Sequence, residues 1–251
     1  MVRSARTQSP TGVYHVMFRG INRQAIFEDD EDAERFLEIL AECKAMDAWQ
    51  LFGYCLMGNH VHILIGCDNR PLGGILKRIG VRYVPWFNKK YGRIGHLFQD
   101  RYRSEPIADN RQLLAALRYI HQNPLKARLC QQAGDYRLSS YGCYVGRPGI
   151  TDVEFVLKML SEDKDRQRQE FEAHMLVDED AEFIDDVPVR MTDRECKEVI
   201  SDIAGTTSAA QFQALSPTMR DKALRQMRGR GLSIRQIVRL TGVPFGIVRG
   251  K

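Results

Sequence analysis

The dipeptide Gly58-Asn59 separates two strand-like runs, and this pattern constrains the fold more than any other feature of the chain. The runs are Gln50–Met57 and His60–Gly66. Gly and Asn accept the positive φ that a tight turn requires, so the two runs are expected to pair as an antiparallel hairpin. The sequence therefore predicts a sheet built around an antiparallel pair of strands.

The segments on both sides of the hairpin alternate between strand and helix patterns. The predicted elements are a strand at Val13–Arg19, helices at Asp29–Lys44 and Leu72–Tyr91, a strand at Arg103–Ala108, and a helix from Asp109 or Asn110 to about Gln122, where Pro124 helps to stop it. The resulting order, β-α-β-β-α-β-α, predicts an α+β fold of ferredoxin-like type. In such a fold the helices pack on a mostly antiparallel sheet.

The chain is long enough for more than one domain. At roughly 150 residues per domain, 251 residues predict one large domain or two small ones. We expect the α+β domain at residues 12–146, an acidic helix and linker at residues 147–190, and a small all-α tail at residues 191–251.

The tail carries helix-start signals. These are the capping boxes Thr192-x-x-Glu195 and Ser233-x-x-Gln236, and the pair Ser216-Pro217, which puts proline at a first helical position. After Ser233, a helical pattern is followed by a turn at residues 241–243 and a second helix near Pro244. This spacing is typical of a helix-turn-helix, although a plain three-helix bundle accounts for it nearly as well.

Composition excludes several classes of protein. Hydrophobic residues make up 43% of the chain and charged residues 27%, which is ordinary for a folded globular protein. Residues 54–65 are the most apolar stretch, but two histidines and Gly58-Asn59 interrupt it, so no membrane span of about 18 residues is predicted. The first twelve residues lack the apolar stretch of a secretion signal. We therefore expect a soluble, cytoplasmic protein without a membrane partner.

Cysteine usage agrees with that location. The six cysteines include no C-x-x-C pair, so neither a disulfide framework nor a cysteine zinc site is predicted. The thiols are expected to be reduced core residues.

Charge is distributed unevenly along the chain. Residues 1–151 carry a net charge of +7, residues 152–198 a net charge of −9, and residues 199–251 a net charge of +7. Two basic regions separated by an acidic stretch favour a nucleic-acid-binding protein with two contact surfaces. A solvated charged surface explains the same numbers about as well.

The most basic segment, residues 77–103, interleaves cations with aromatic residues. Aromatic side chains can stack on unpaired bases while the cations neutralise phosphates, so this segment is predicted to be a nucleic-acid surface. Some of the aromatics must instead lie in the core, because Ile79, Tyr83 and Phe87 recur at helical spacing. The aromatic residues of the segment are Tyr83, Trp86, Phe87, Tyr91, Phe98 and Tyr102.

Two short motifs suggest chemistry. His60 and His62 are two apart on a predicted strand, so their imidazoles share one face and present two metal ligands. Tyr119 and Asn123 are four apart on a predicted helix, which places a phenol and an amide on one face. Spacing alone leaves structural alternatives open, namely surface or structural histidines, a core tyrosine and a C-terminal helix cap at Asn123.

Several stretches in unbroken order resemble one family. They are YHVMFRGINRQAIF, YCLMGNHVHILIG, KKYGRIGHLFQDRYRS and LLAALRYIHQNPLKARL, followed by residues 136–141. Together they resemble the single-tyrosine HUH transposases, specifically the group of REP-associated tyrosine transposases, over about residues 12–146. Four ordered motifs at consistent spacing are far more specific than any one of them.

The resemblance implies a site and a reaction. His60, His62 and Asn123 would hold one Mg²⁺ or Mn²⁺ ion, although a glutamine is common at the position of Asn123 in related insertion-sequence enzymes. Tyr119 would be the nucleophile, forming a 5′-phosphotyrosine with single-stranded or hairpin DNA from repeated extragenic palindromes. Strand transfer by the released 3′-OH would then need no ATP.

Further residues receive roles beside that site. We expect phosphate contacts from a set of basic residues in and beside the loop before the fourth strand, namely Lys89, Lys90, His96, Arg101 and Arg103. His15 and His121 are interpreted as structural, His121 because it faces away from Tyr119 on the helix. The sequence does not distinguish a monomer from a homodimer.

Two rival functions remain. One is a DNA-binding regulator without catalysis, which would use the basic face and the tail. The other is an HUH nickase of the replication-initiator type. The helix that carries Tyr119 and Asn123 disfavours the nickase, since it follows the histidine pair and resembles the transposase arrangement.

Overall fold

The chain divides into two compact units, Met1–Asp185 and Asp186–Lys251. The computed structural model describes residues 7–67, 71–99, 101–177, 183, 193–230, 232 and 234–250. Within this part of the chain, no helix combines the length and the apolar character needed to cross a membrane.

The first unit contains a four-stranded antiparallel sheet with the strand order β2-β3-β1-β4. Its elements are β1 (Val13–Arg19), α1 (Asp30–Asp47), β2 (Gln50–Met57), β3 (His60–Gly66), α2 (Leu72–Lys90), β4 (Arg103–Pro106), α3 (Asn110–Lys126), α4 (Tyr141–Tyr144), α5 (Val153–Leu160) and α6 (Lys164–Met175). The β2-β3 hairpin turns at Gly58-Asn59, as predicted. This order and topology confirm the predicted α+β fold of ferredoxin-like type.

Helix boundaries follow local capping. Asp29 caps α1 by accepting from the backbone N–H of Asp32, whose side chain accepts in return from the Asp29 N–H. The Asp109 side chain caps α3 by accepting from the Gln112 N–H. The predicted end of α3 near Gln122 is wrong, because the helix runs to Lys126 with Pro124 in its last turn. A proline there removes one helical hydrogen bond, and the Ala127 N–H to Asn123 carbonyl bond still closes the turn.

The two faces of the sheet are covered by different helices. On one face, α1 and α2 bury an apolar cluster that includes Phe36, Tyr83 and Phe87, each 0% exposed. On the other face, α3 packs through Leu117 and Ile120. Gly53 of β2 allows this helix to approach, because a Cβ atom there would lie 2.6 Å from the Leu117 side chain.

The acidic segment that follows the sheet domain, predicted as a helix and a linker, contains helices in its described residues, while most of the predicted linker lies outside them. It forms the two helices α5 and α6, whose Val156, Phe171 and Met175 join the apolar cluster on the α3 side. These helices bury one face and leave most of their charged residues exposed.

The second unit consists of helices in its described residues. They are α7 (Asp193–Ala204), α8 (Ala209–Gln213), α9 (Pro217–Gly229), α10 (Ile234–Thr241) and α11 (Phe245–Arg249). Ser216 caps α9 with Pro217 at the first position, as the sequence predicts. Thr192 and Ser233, the first residues of the predicted capping boxes, lie outside the described residues. A separate core includes Phe212, Leu224 and Ile237.

Candidate active site

The two histidines of the HUH motif lie next to each other on β3. Their ring centroids are 5.0 Å apart and the ring planes are nearly perpendicular. His62 is fully buried, whereas His60, which opens the strand beside the Gly58-Asn59 turn, is half-buried. The i, i+2 spacing therefore places both imidazoles on the sheet face that α3 covers.

Each of these imidazoles has its Nδ1 atom engaged in a hydrogen bond. The His60 Nδ1 atom lies 2.6 Å from Oδ1 of Asn59, and the His62 Nδ1 atom lies 2.9 Å from Nε2 of His15. An amide oxygen only accepts, so His60 donates from Nδ1 and keeps its lone pair on Nε2. Nε2 is accordingly the ring nitrogen of His60 that can bind a metal.

Helix α3 brings Tyr119 to the histidines. The Tyr119 ring is 5.8 Å from the His62 ring, measured between centroids. One turn later, Asn123 donates from Nδ2 to the Tyr119 carbonyl oxygen at 3.1 Å, so its Oδ1 atom is the remaining ligand atom of the amide. Both side chains are buried, and the Lys126 Nζ atom lies 5.0 Å from the centre of the Tyr119 ring.

The donor chemistry around β3 fits a divalent ion held partly by an amide. Among the described residues, no group of three or more His, Cys, Asp or Glu side chains converges as a metal site. A three-ligand site at His60 and His62 would therefore need a different third donor. Asn123, one helical turn from the tyrosine that contacts His62, stays the predicted third donor.

Sequence reasoning did not foresee two neighbours of Tyr119. His15 of β1 contacts the Tyr119 ring edge-on at 5.8 Å, and Phe183 packs on the same ring at 5.1 Å. A histidine at an inward position of a strand, between Val13 and Met17, is the signal that could have identified His15. Phe183 has no such signal, because it lies in an acidic stretch far away in sequence.

His121, the other histidine of α3, lies away from this cluster. Its Nε2 atom is 2.8 Å from Oγ of Ser140, and its ring packs among Tyr141, Tyr144 and Phe171. Complete burial lowers the pKa of His121 to about 3. It is therefore neutral at physiological pH and placed for packing.

The residues predicted to contact DNA differ in their exposure and in the contacts that their side chains already make. Arg103 is exposed and pairs in register with Met17, which itself pairs with His62, so Arg103 lies in the same cross-strand row as the site. Lys89 is exposed as well. His96 and Arg101 line a groove of about 640 Å³ beside α2.

Lys90 differs from the other candidate DNA contacts. Its ammonium group contacts three carboxylates, those of Asp29, Glu31 and Asp32. Those contacts neutralise the charge that Lys90 would offer to a phosphate. Its clearest role is to hold the start of α1 against the end of α2.

Most aromatics of the basic segment belong to the core. Tyr83 and Phe87 are fully buried under α1, and Tyr102 is 9% exposed. Tyr91, another tyrosine near the basic loop, donates its hydroxyl to Asp32. Trp86, Tyr91 and Phe98 are partly buried against the same core, so stacking on bases is limited mainly to what these three rings expose.

Comparisons with known proteins agree with this architecture. Residues 9–123 match the family model described as IS200-like transposase. A solved REP-associated tyrosine transposase bound to a REP hairpin matches with a TM-score of 0.51 and 16% identity, over 62% of this chain and 93% of that one. At this identity, the likeness concerns the fold.

Two further results complete the comparison. A crystal structure of a protein from Deinococcus radiodurans assigned as a transposase matches with a TM-score of 0.35 and 16% identity, over 44% of this chain and 90% of that one. No curated protein matches the chain. The family model thus covers residues 9–123, less than half of the chain, and shows that this segment is similar to the IS200-like transposases.

Proposed function

We propose that this protein is a metal-dependent single-stranded DNA endonuclease and strand transferase that cleaves at hairpin-forming repeats through a 5′-phosphotyrosine. One observation carries the proposal. The phenol ring of Tyr119 on α3 lies against His62 of the His60-His62 pair on β3, which supports a proposed nucleophile and two proposed metal ligands at one face of the sheet. A purely structural tyrosine does not require this neighbourhood.

The metal-binding residues have separate tasks. His60, His62 and Asn123 would hold the ion through two imidazole nitrogens and one amide oxygen. When bound, Mg²⁺ or Mn²⁺ supplies positive charge that polarises the scissile phosphate. The Asn59 side chain orients His60, and the Asn123 amide is oriented by its bond to the Tyr119 backbone.

Tyr119 would carry the covalent step. Its phenolate oxygen bonds to the phosphorus as the P–O3′ bond breaks, the phenolic proton is released, and the leaving 3′ oxygen takes up a proton. The Lys126 Nζ atom lies 5.0 Å from the centre of the Tyr119 ring, so a positive charge stands beside the proposed nucleophile. The phosphotyrosine stays reactive toward a 3′-OH, so the reverse reaction rejoins DNA without ATP.

A hairpin is the partner that the surroundings favour. The fold resembles a transposase solved with a REP hairpin, and the exposed Arg103 lies in the cross-strand row of His62. Arg101, His96 and Lys89 extend this basic surface as proposed phosphate contacts. Single-stranded DNA at the foot of such a hairpin gives the tyrosine in-line access to a phosphate.

The test is cleavage of labelled hairpin oligonucleotides from the neighbourhood of the gene, with Mn²⁺ or Mg²⁺. We expect a covalent protein-DNA adduct on denaturing gels that disappears in Tyr119→Phe. The matched variants Tyr91→Phe and Tyr102→Phe should keep it. Tight hairpin binding without an adduct under either metal would instead identify a binding regulator.

The second unit supports an additional DNA-binding role for the tail. Helices α10 and α11 are joined at Gly242, whose φ is +70, and α11 exposes all its residues except Val248. Exposed arginines, among them Arg225, Arg239 and Arg249, give this unit the charge that DNA binding needs. Deletion of residues 192–251 should weaken hairpin affinity; unchanged affinity would exclude this role.

A further inference from the structure

His15 is a polar side chain at an inward position of β1 and is fully buried. Its neighbours on the same face of the strand are Val13 and Met17, both apolar. The Nε2 atom of His15 lies 2.9 Å from Nδ1 of His62, and the two rings stack with centroids 5.1 Å apart. A buried imidazole in this place is costly unless its hydrogen bond is made, so the contact with His62 is specific.

We propose that His15 is a positioning residue that accepts the Nδ1–H of His62 and thereby keeps the lone pair of His62 on Nε2, toward the metal. A neutral imidazole carries one proton. If His15 instead donated this bond, the His62 proton would lie on Nε2 and block the ligand atom. The inference rests on the proposed metal site.

The other ligand shows the same arrangement with a different acceptor. Asn59 Oδ1 accepts from Nδ1 of His60 at 2.6 Å, while the Asn59 Nδ2 atom points to the Arg23 carbonyl oxygen at 3.4 Å, which fixes the orientation of the amide. In both histidines of the motif, the Nδ1 atom is thus engaged by a neighbouring side chain, Asn59 for His60 and His15 for His62. Such outer partners set the tautomer and the orientation of metal-binding histidines.

The surroundings of His15 support its role as the acceptor. Tyr119 and Phe183 contact its ring edge-on at 5.8 and 5.6 Å, which limits rotation of the imidazole. Glu105 of β4 is paired directly with His15 in the sheet, so its carboxylate is on the same face. A negative charge there favours a proton on the His15 nitrogen that does not face His62.

Two variants separate the hydrogen bond from simple packing. His15→Phe keeps a flat ring but removes the acceptor, and His15→Gln supplies an amide oxygen in its place. Met17→Leu is the matched control, since Met17 pairs directly with His62 but has no role in the bond. The readout is the Mn²⁺ dissociation constant of the full chain without DNA, measured by electron paramagnetic resonance of free Mn²⁺.

We expect His15→Phe to weaken Mn²⁺ binding by about 10 to 100-fold, with His15→Gln recovering most of the loss and Met17→Leu unchanged. Long-range ¹H-¹⁵N spectra of the wild type should show His62 protonated at Nδ1, a result that needs no variant to fold. Protonation at Nε2, or equal Mn²⁺ loss in the Phe and Gln variants, would overturn the proposal.

The failure of this inference differs from the failure of the proposed function. If His15→Phe binds Mn²⁺ like the wild type while His62→Ala does not, His15 has no positioning role and the metal site stands. If the wild type itself binds no Mn²⁺ and forms no adduct, both are overturned.

Discussion

The two faces of the same sheet differ sharply in what they bury. Toward α1 and α2, the strands present apolar residues such as Val16, Phe18 and Ile63. Toward α3, the alternate positions present His15 and His62. Because successive strand residues point to opposite sides, one short sequence serves both purposes. The comparison suggests a division of roles between alternate strand positions. Those facing α1 and α2 serve stability, and those facing α3 are where we propose the chemistry.

The α3 face buries polar side chains, which costs free energy that the apolar face does not require. His62, Arg118, His121 and Asn123 are all buried there, and buried polar groups are tolerated only with partners. A core selected for stability alone would replace them with apolar residues. Of these, His62 contacts Tyr119 and Asn123 bonds to its carbonyl, as expected of a site for catalysis or binding, whereas His121 packs away from it.

The largest expected effect is on chemistry at the α3 face. His60→Ala should reduce adduct formation about 1000-fold or more, because it removes a proposed metal ligand that would contribute several kcal/mol to transition-state stabilisation. His60 is half-buried, so the melting temperature should change little. Rates come from single-turnover cleavage, with His121→Gln on α3 as the histidine control. Equal losses in both variants would show that the effect is not specific to the proposed metal-binding histidine.

The next effect is on stability at the opposite face. Phe36→Ala should lower the free energy of unfolding by about 3–5 kcal/mol, since the ring is fully buried and packs edge-on against Tyr83. Urea denaturation measures the change. At low temperature, the cleavage rate per folded molecule should match the wild type. A large loss of rate in the folded fraction would show that the faces are coupled.

A smaller effect concerns pH. His121 has a folded pKa of about 3 against about 6.5 when unfolded, so the unfolded state binds more protons below pH 6.5. Its stabilising contribution is complete above that pH and is lost as pH falls, by about 2 kcal/mol between pH 7 and 5. His121→Gln should flatten the stability profile by this amount. Identical profiles would mean that His121 is not buried as a neutral group.

The smallest effect is expected on the solvent side of α1. Arg35 pairs with Glu38 and Glu42, but these side chains are substantially exposed. Arg35→Ala should change the unfolding free energy by less than about 1 kcal/mol and leave cleavage unchanged. A larger loss in denaturation would show that the outer surface of α1 contributes to the core.

Much of the fold follows from local patterns. The turn at Gly58-Asn59, the cap at Asp109 and the alternation of strands and helices identify the elements of the sheet domain and their order. The end of α3 does not follow, because a proline in a last turn costs little. The packing of α5 and α6 against α3 could not be predicted from the sequence either. Phe171 and Met175 appear there as isolated apolar residues in a charged stretch.

The site was predictable where residues are near in sequence. His60 with His62, and Tyr119 with Asn123, are pairs whose spacing alone puts them on one face. Their meeting required the packing of α3 on the sheet, which only the resemblance suggested. His15 and Phe183 depend on strand register and on a distant segment, so their contacts with Tyr119 become visible only in three dimensions.

The central claim is that Tyr119 is the nucleophile that bonds to DNA. The most direct test is mass spectrometry of peptides from the wild-type protein after incubation with hairpin DNA and Mn²⁺, to find which residue carries the nucleotide. Our account predicts a phosphodiester on Tyr119 at the 5′ end of the product. Attachment to another residue, or a cleaved product without any attachment, would contradict it.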